Sequence, residues 1–477
     1  MSLRGAVGVI VGLALTAPTA AQSPAPLRGT LFSSDAGSIV ADGGVTVGTY
    51  AMTRLFWDLA RQNGAPEYEP DKLFAEAALT AGLSFTRRLP GSEFYGGAGL
   101  AGARTFGTDP FDNRNQGSLR AERLFGGWRT TSASAANLDV SFGTQEYWIG
   151  TMAGGSPDGF QVRMGAANGF EWGGQLLMPY KAWELAAVAK LTAGRWRAEA
   201  FWLRPNELPS GDTRTELAGL KLEGSWSGGR SRAGAVFLGV PRSEQIYPRA
   251  DKPGDFYLGG RDGLRNLHLY GYVTPLPTRA PTLTARIEVV EQRNPRIDMR
   301  AGALYAEGAY VFAKARWTPT LSYTYAVFTG DDPDTSRYER FDPLYYGGSL
   351  YGTWFGANSS WALLNSNFNV HRVSAQFVAT QTDFVTMQYD AFRASQLRSP
   401  LQFGQGTRLR CDESGCGLLS GVVEPELSQD LYAGWTHLFG PRVNVTVFAV
   451  TSIPGAGLTQ LGATRWNTLA TTMGWTF

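Results

Sequence analysis

The sequence predicts an all-β fold: a transmembrane antiparallel β-barrel of about 18 strands, with 16 as the lower count. Three observations predict it. Apolar and polar residues alternate with period two in segment after segment of the 477 residues. Several segments run past ten residues, beyond the ~5–6 of a strand in a soluble sheet and matching the ~9–11 needed to cross a bilayer at a tilt. Short turns alternate with long loops, the asymmetry of outer-membrane barrels.

The clearest segment is RWTPTLSYTYAVF, 316–328. Trp317, Pro319, Leu321, Tyr323, Tyr325 and Val327 share one face, and Arg316, Thr318, Thr320, Ser322, Thr324 and Ala326 the other. The pattern recurs in TLTARIEVVEQ (282–292), RWRAEAFWL (195–203) and TDFVTMQYDAF (382–392). The apolar faces carry Ala, Gly, Trp and Tyr, with aromatics near segment ends. That composition suits a lipid-facing surface with interfacial girdles. The opposite faces carry charge, and no sequence is left over to cover the apolar ones. A closed sheet around a polar interior resolves this and pairs every backbone N–H and C=O in lipid.

Counting back from the C-terminus places strands near 465–477, 442–453, 429–439, 383–393, 367–380, 316–328, 301–312, 282–293, 264–274, 230–240, 214–227, 195–204 and 183–193. Upstream candidates lie near 158–168, 136–145, 117–131, 94–107 and 74–90. Short turns include 192–195, 227–230, 312–316, 379–383 and 439–442; long loops include 241–263, 330–365, 394–428 and 453–464. One barrel is expected over 74–477. Residues 22–73 resist assignment: LFWDLARQ (55–62) reads equally as a short helix, the end of a first strand or a periplasmic segment.

Residues 1–21 read as a secretory signal. Arg4 supplies the positive region, AVGVIVGLAL (6–15) the apolar one, and TAPTAA (16–21) the small-residue cleavage zone. About ten apolar residues are too few for a spanning helix, and no later run approaches the ~18–20 required. Export agrees with Cys411 and Cys416 in CDESGC, expected to close a small disulfide loop in an oxidising compartment. The charged fraction is 18%, below the usual ~25%, and the net charge of +2 implies no nucleic-acid partner. The last strand ends on Trp475 and Phe477. Its terminal Phe resembles the signal read by the outer-membrane assembly machinery, an expected partner alongside outer-membrane lipids and lipopolysaccharide.

The lumen of so wide a barrel is an aqueous channel unless loops fill it. The polar strand faces place Arg163, Arg195, Arg197, Arg286, Arg316, Arg372, Lys190 and Lys221 along a solute path, with Arg120 beside them. Glu122, Glu184, Glu199, Glu223, Glu288, Glu307 and Asp390 are interleaved. Two readings stand: cross-strand salt bridges that stiffen the wall, or a basic constriction that attracts anions. Lumen-facing Tyr270, Tyr272, Phe201 and Tyr305 could stack on sugar rings or pack against inward loops. Catalysis is not expected. Only three His are present, and alternation puts His371 on the opposite face from Ser374.

In FTGDDPDTSRYERFDPLYYGGSLYG (328–352), Asp331, Asp332, Asp334 and Asp342 lie close together in an extracellular loop. Such oxygen ligands in a turn can hold Ca²⁺; the alternative is a solvated acidic turn pairing with Arg337 and Arg340. No other cofactor is expected. The Gly-Asp-Asp turn followed by Phe341-Asp342-Pro343-Leu344-Tyr345-Tyr346 resembles the alginate-export family of outer-membrane channels. LYAGWTHLFGPRVNVTVFAV (431–450) continues the likeness, which covers roughly 300–455. NLDVSFGTQEYWIG (137–150) and DGFQVRMG (158–165) are similar to two further strand segments of that family, with Thr144 where its pattern has Arg. The resemblance implies an 18-stranded barrel with a basic lumen that passes an anionic uronate polysaccharide outward. It also implies periplasmic export components as partners. Phe439-Gly440-Pro441-Arg442 replaces the long periplasmic loop that plugs the alginate channel, so the loops at 330–365 and 394–428 are the expected plugs. A general porin for small solutes such as organic acids is the second reading, and a structural or adhesive barrel with a closed lumen the third. N-terminal sequencing of the exported protein is expected to start near Gln22; an intact Met1 would contradict the signal reading.

Overall fold

The computed structural model describes residues 29–55, 69–110, 114–131, 136–150, 173–177, 179–276, 282–345, 365–401, 408–412 and 415–477. Its main sheet has 19 strands, every pairing antiparallel. One of them, Gly29–Ser34, is a short edge piece; the remaining 18 close on themselves. They are β1 Gly37–Thr53, β2 Lys72–Leu89, β3 Ser92–Phe106, β4 Gly117–Thr130, β5 Ala136–Gln145 and β6 Trp183–Ala193. Then come β7 Trp196–Arg204, β8 Glu216–Trp226, β9 Ser231–Arg242, β10 Arg265–Val273, β11 Leu283–Asn294 and β12 Met299–Val311. The set ends with β13 Thr320–Phe328, β14 Phe368–Val378, β15 Asp383–Ala394, β16 Glu426–Phe439, β17 Val443–Pro454 and β18 Trp466–Thr476.

Each strand hydrogen-bonds to its sequence neighbours, and β1 pairs with β18 over Gly44–Thr53 against Asn467–Thr476. The edge of β1 beyond that seam does not stay bare. The N–H of Phe477 donates to the Gly43 carbonyl (3.1 Å), and Gly29–Ser34 then pairs with Gly37–Ala41, continuing the line of β18. The Phe477 ring lies across Gly43, where an added Cβ would stand 2.5 Å from it.

Alternation sorts the side chains as expected. Leu79, Leu100, Leu220, Phe237, Ile287, Leu321, Met387 and Leu469 are exposed on the outer wall. At the short-turn end this band finishes in rings that pack in pairs: Trp196 with Trp226, Tyr310 with Phe312, Trp317 with Phe377, Trp475 with Phe477. Such a girdle marks a membrane–water interface. The short turns and the long loops lie at opposite ends, and the strand boundaries from β6 onward agree with the sequence expectation to within a few residues.

Three expectations need correction. The first strand is 37–53, inside the stretch that resisted assignment. The candidate at 158–168 lies outside the described residues, and β5 pairs directly with β6, so no strand stands between them. The predicted count of 18 therefore holds with one strand exchanged for another. Third, 312–319 is one long turn, so β13 starts at Thr320 and Arg316 is not a strand residue. Of LFWDLARQ, 56–62 also lie outside the described residues.

The seam gives a test. Gly43→Val is expected to collide with the Phe477 ring and cost about 1–3 kcal/mol, lowering the temperature at which the heat-resistant folded band is lost on a gel. Adding Phe477→Ala should recover part of that loss. Strictly additive effects in this double-mutant cycle would mean that the two residues do not meet.

Candidate functional site: the lumen wall and its mouth

Directly opposed residues in an antiparallel pair share a face. Across β2–β8 this produces a continuous lumen row: Arg88 opposite Glu93, then Arg129, Asp139, Lys190, Glu199 and Lys221. The sign alternates at every step, and the row starts and ends on a cation. Arg129 pairs with Glu93 and lies over the Tyr95 ring, whose hydroxyl donates to Asp139. Lys190 lies over the Tyr147 ring, and Tyr147 donates to Glu199 (2.7 Å). Lys221 stands 3.6 Å from Glu199 and 3.8 Å from Glu223. A second row runs Arg232, Tyr272, Arg286, Glu307, Thr324, Arg372 and Asp390 across β9–β15.

These cations differ in what they can reach. Arg286 is 1% exposed, paired with Glu288 and laid over Tyr305; Glu288 also meets His268 at 3.0 Å. Arg372 is 4% exposed and grips Asp390 with two nitrogens (2.6 and 3.3 Å). Both are walled-in structural pairs. By contrast Arg129 and Arg197 keep 45% of their side-chain surface and Arg232 keeps 38%. These three sit within two residues of the short-turn ends of β4, β7 and β9, on one side of the lumen. Each touches an acid, Arg197 at 2.8 Å from Glu199 and Arg232 at 3.9 Å from Glu223, yet each stays partly exposed on the lumen side.

The other expected path residues are placed differently. Arg163 lies outside the described residues. Arg195 and Arg316 stand in the turns between strands, over Trp196 and Trp226 (5.4 and 5.9 Å) and over Trp317 (5.1 Å). They therefore belong to the outer girdle, because the alternation that assigns a face ends where the strand does. Glu122 is the extra residue of a bulge in β4, opposite the Gly99–Leu100 step of β3. Its carboxylate accepts the backbone N–H groups of Lys181 and Ala182. Glu76 does the same for Leu176 and Leu177 (2.9 and 3.1 Å). Two acids thus tie the inward residues 173–177 and 179–182 to the wall of β2–β4.

The mouth is crossed by a second inward segment, 329–345. Its centre is Asp342, held bidentately by Arg261 (2.7 and 3.0 Å) and accepting from the Tyr247 hydroxyl. Gln292 of β11 clasps the Asp342 backbone, donating to its carbonyl (2.7 Å) and accepting its N–H (2.8 Å). Burial alone would raise the Asp342 carboxyl, but the Arg261 guanidinium holds it below the usual range. Tyr247 and Tyr338 stack at 5.1 Å, and Tyr345 reaches the far wall, edge-on to Trp183 and bonded to Glu207 (2.8 Å). Asp331 is buried and accepts from the N–H groups of Ala250 (2.9 Å) and Glu339 (2.8 Å); burial pushes it up to about 6.

The four loop aspartates do not converge. Asp342 goes to Arg261, Asp334 to Arg398 (2.6 Å), and Asp331 to backbone amides. Among the described residues no group of three or more His, Cys, Asp or Glu could hold a metal ion. Of the two expected partners, Arg337 lies by Asp298 instead (3.5 Å), while the Arg340 charge acts on Asp331. Cys411 stands opposite Cys416 in the hairpin Arg408–Asp412/Gly415–Leu419, the backbone register that a disulfide across it needs. His371 faces outward beside Tyr323 (2.7 Å), while Ser374 is buried on the other face. Sequence reading missed Glu76, Arg129, Arg232, Arg261 and Gln292. Arg129 and Arg232 could have been found by extending the face count to the strand ends; Arg261 lies in GGRDG (259–263), where no periodicity exists to read.

No family model matches the chain, and no curated protein does. Solved structures do. The outer membrane protein opdK of Pseudomonas aeruginosa matches with a TM-score of 0.50 at 10% identity, over 91% of this chain and 98% of that one. OccK9 (OpdG) of the same organism matches at 0.51 and 9% identity, over 91% and 97%. OccK2 (OpdF) matches at 0.50 and 12% identity, over 91% and 97%. At these identities the likeness is one of architecture: this chain has the fold of an outer-membrane β-barrel.

Proposed function

We propose that the protein is an outer-membrane channel through which small anionic solutes, organic or sugar acids, pass by diffusion. One observation carries this reading. Arg129, Arg197 and Arg232 present accessible guanidinium groups on one side of the lumen, beneath a mouth that segment 329–345 crosses. Accessible cations in a confined, low-dielectric passage concentrate anions and can bind a carboxylate bidentately. The architecture shared with outer membrane proteins supports the placement, and the placement of His371 and Ser374 supports a role without catalysis.

Passage of an anionic polysaccharide, which the sequence resemblance implied, is less well supported. A polymer must thread the mouth along its whole length, and the mouth is bridged from Gln292 to Trp183. A small acid needs only the gaps beside that bridge.

Flux into proteoliposomes tests the proposal. A monocarboxylate should enter about three- to tenfold faster than a neutral sugar of equal size, by local enrichment, and a uronate polymer should be excluded. Combined Arg129→Ser, Arg197→Ser and Arg232→Ser should erase that preference and leave neutral flux unchanged. A preference that survives this triple change would place selectivity elsewhere. Absence of flux altogether would favour the closed, adhesive barrel.

The mouth gives a second test. Arg261→Ala leaves the Asp342 carboxylate buried without its partner, at a cost of about 3–5 kcal/mol. Segment 329–345 should then loosen, raising single-channel conductance and its cutting by added protease. Conductance and cleavage at wild-type levels would show that the Arg261–Asp342 pair does not hold the mouth.

A further inference from the structure

Three outward-facing arginines stand directly opposite one another on adjacent strands: Arg265 of β10, Arg293 of β11 and Arg300 of β12. All are exposed, at the long-loop ends of their strands. Like charges directly opposed across a sheet are destabilising. One acid answers them. Glu291, one pair lower on the same face, meets Arg293 (2.6 Å) and Arg300 (3.5 Å). Arg265 has no acid within 4 Å among the described residues. The neighbouring pairs Arg296–Asp262 and Arg337–Asp298 balance internally, so the patch keeps an excess of positive charge.

A second, independent feature meets it. A groove of about 970 Å³ runs down the outer wall over β5–β10 and ends at Arg265 and Arg296. Ala200, Trp202, Ala218, Leu220, Phe237 and Gly239 line it, and its surface is almost wholly apolar. Gly239 is small without packing need: a Cβ there would meet nothing nearer than a carbonyl at 4.0 Å.

We propose that this face is a binding site for a phosphorylated acyl glycolipid of the outer leaflet, of lipid A chemistry. Phosphate groups lie on the Arg265–Arg293–Arg300 row, and an acyl chain lies in the groove below. The long loops put this end of the barrel outward, where such lipids carry phosphate at the level of the first strand residues. The anion relieves the repulsion within the row, and the chain fills a recess that loosely packed lipid would leave poorly covered. Arg suits the task because its fork binds phosphate oxygens two at a time.

Native mass spectrometry of the full, detergent-purified barrel tests this with added bisphosphorylated lipid A and its dephosphorylated form. The wild type should retain the phosphorylated form at least about tenfold better, at roughly fivefold per arginine engaged. Combined Arg265→Ser, Arg293→Ser and Arg300→Ser should abolish that difference, while Lys at the same positions should keep most of it. Gly239→Phe, which fills the groove and leaves the arginines intact, should weaken both forms. Equal retention of the two forms by the wild type would overturn the proposal without any variant. So would undiminished retention by the serine variant, once its heat-resistant band shows it folded. Undiminished retention by Gly239→Phe would exclude the groove and with it the proposed pose.

Discussion

The constraint on which this molecule depends is that no backbone N–H or C=O can be left unpaired in hydrocarbon. The pairing of β1 with β18 meets it. Gly44–Thr53 takes Asn467–Thr476, Phe477 bonds back to Gly43, and Gly29–Ser34 covers the remaining edge of Gly37–Ala41. Closure then dictates the chemistry of the wall. Antiparallel neighbours cannot slip by one residue without turning every side chain to the wrong solvent. Charged residues on one strand therefore meet whatever stands directly opposite on the next. The alternating row from Arg88 to Lys221 is what that condition looks like when each strand places one charge toward the lumen.

The lumen charges separate into two kinds because burial differs along the wall. A walled-in pair such as Arg372–Asp390 has given up its water, and its attraction roughly repays that loss. It stiffens the barrel and offers little to a passing solute. An arginine such as Arg197, close to a turn and half open, keeps its hydration and its spare donors. On the proposed function, solute recognition would fall to the second kind. The mouth repeats the logic at a single point. Asp342, buried among Arg261, Tyr247 and Gln292, holds segment 329–345 across the opening.

Much of this was legible in the sequence because period two is a strong signal wherever the two faces differ in polarity. From β6 to β18 they differ, and boundaries, turn lengths and lumen assignments of Arg197, Lys221, Arg286 and Arg372 could be read directly. In β1 they do not. GSIVADGGVTVGTYAMT has Val40, Tyr50 and Met52 toward the lumen and Thr49 and Thr53 outward, and Gly43 and Gly44 interrupt the count. Its identity as a strand comes from pairing, with Lys72–Arg87 of β2 on one side and with Asn467–Thr476, more than 400 residues away, on the other, which no local pattern contains. Arg195 and Arg316 went astray for a related reason, since a face cannot be carried into a turn. The mouth was legible only as a list of charged loop residues. That Asp342 would choose Arg261, 81 residues upstream, is decided by the fold of two long loops inside a rim.

The central claim is that the barrel is open and that its accessible lumen cations make it an anion path. The reversal potential of single channels in a planar bilayer under a KCl gradient measures this most directly. The account predicts a reversal potential on the chloride side of zero. A potential on the potassium side, from a channel otherwise conducting normally, would contradict it.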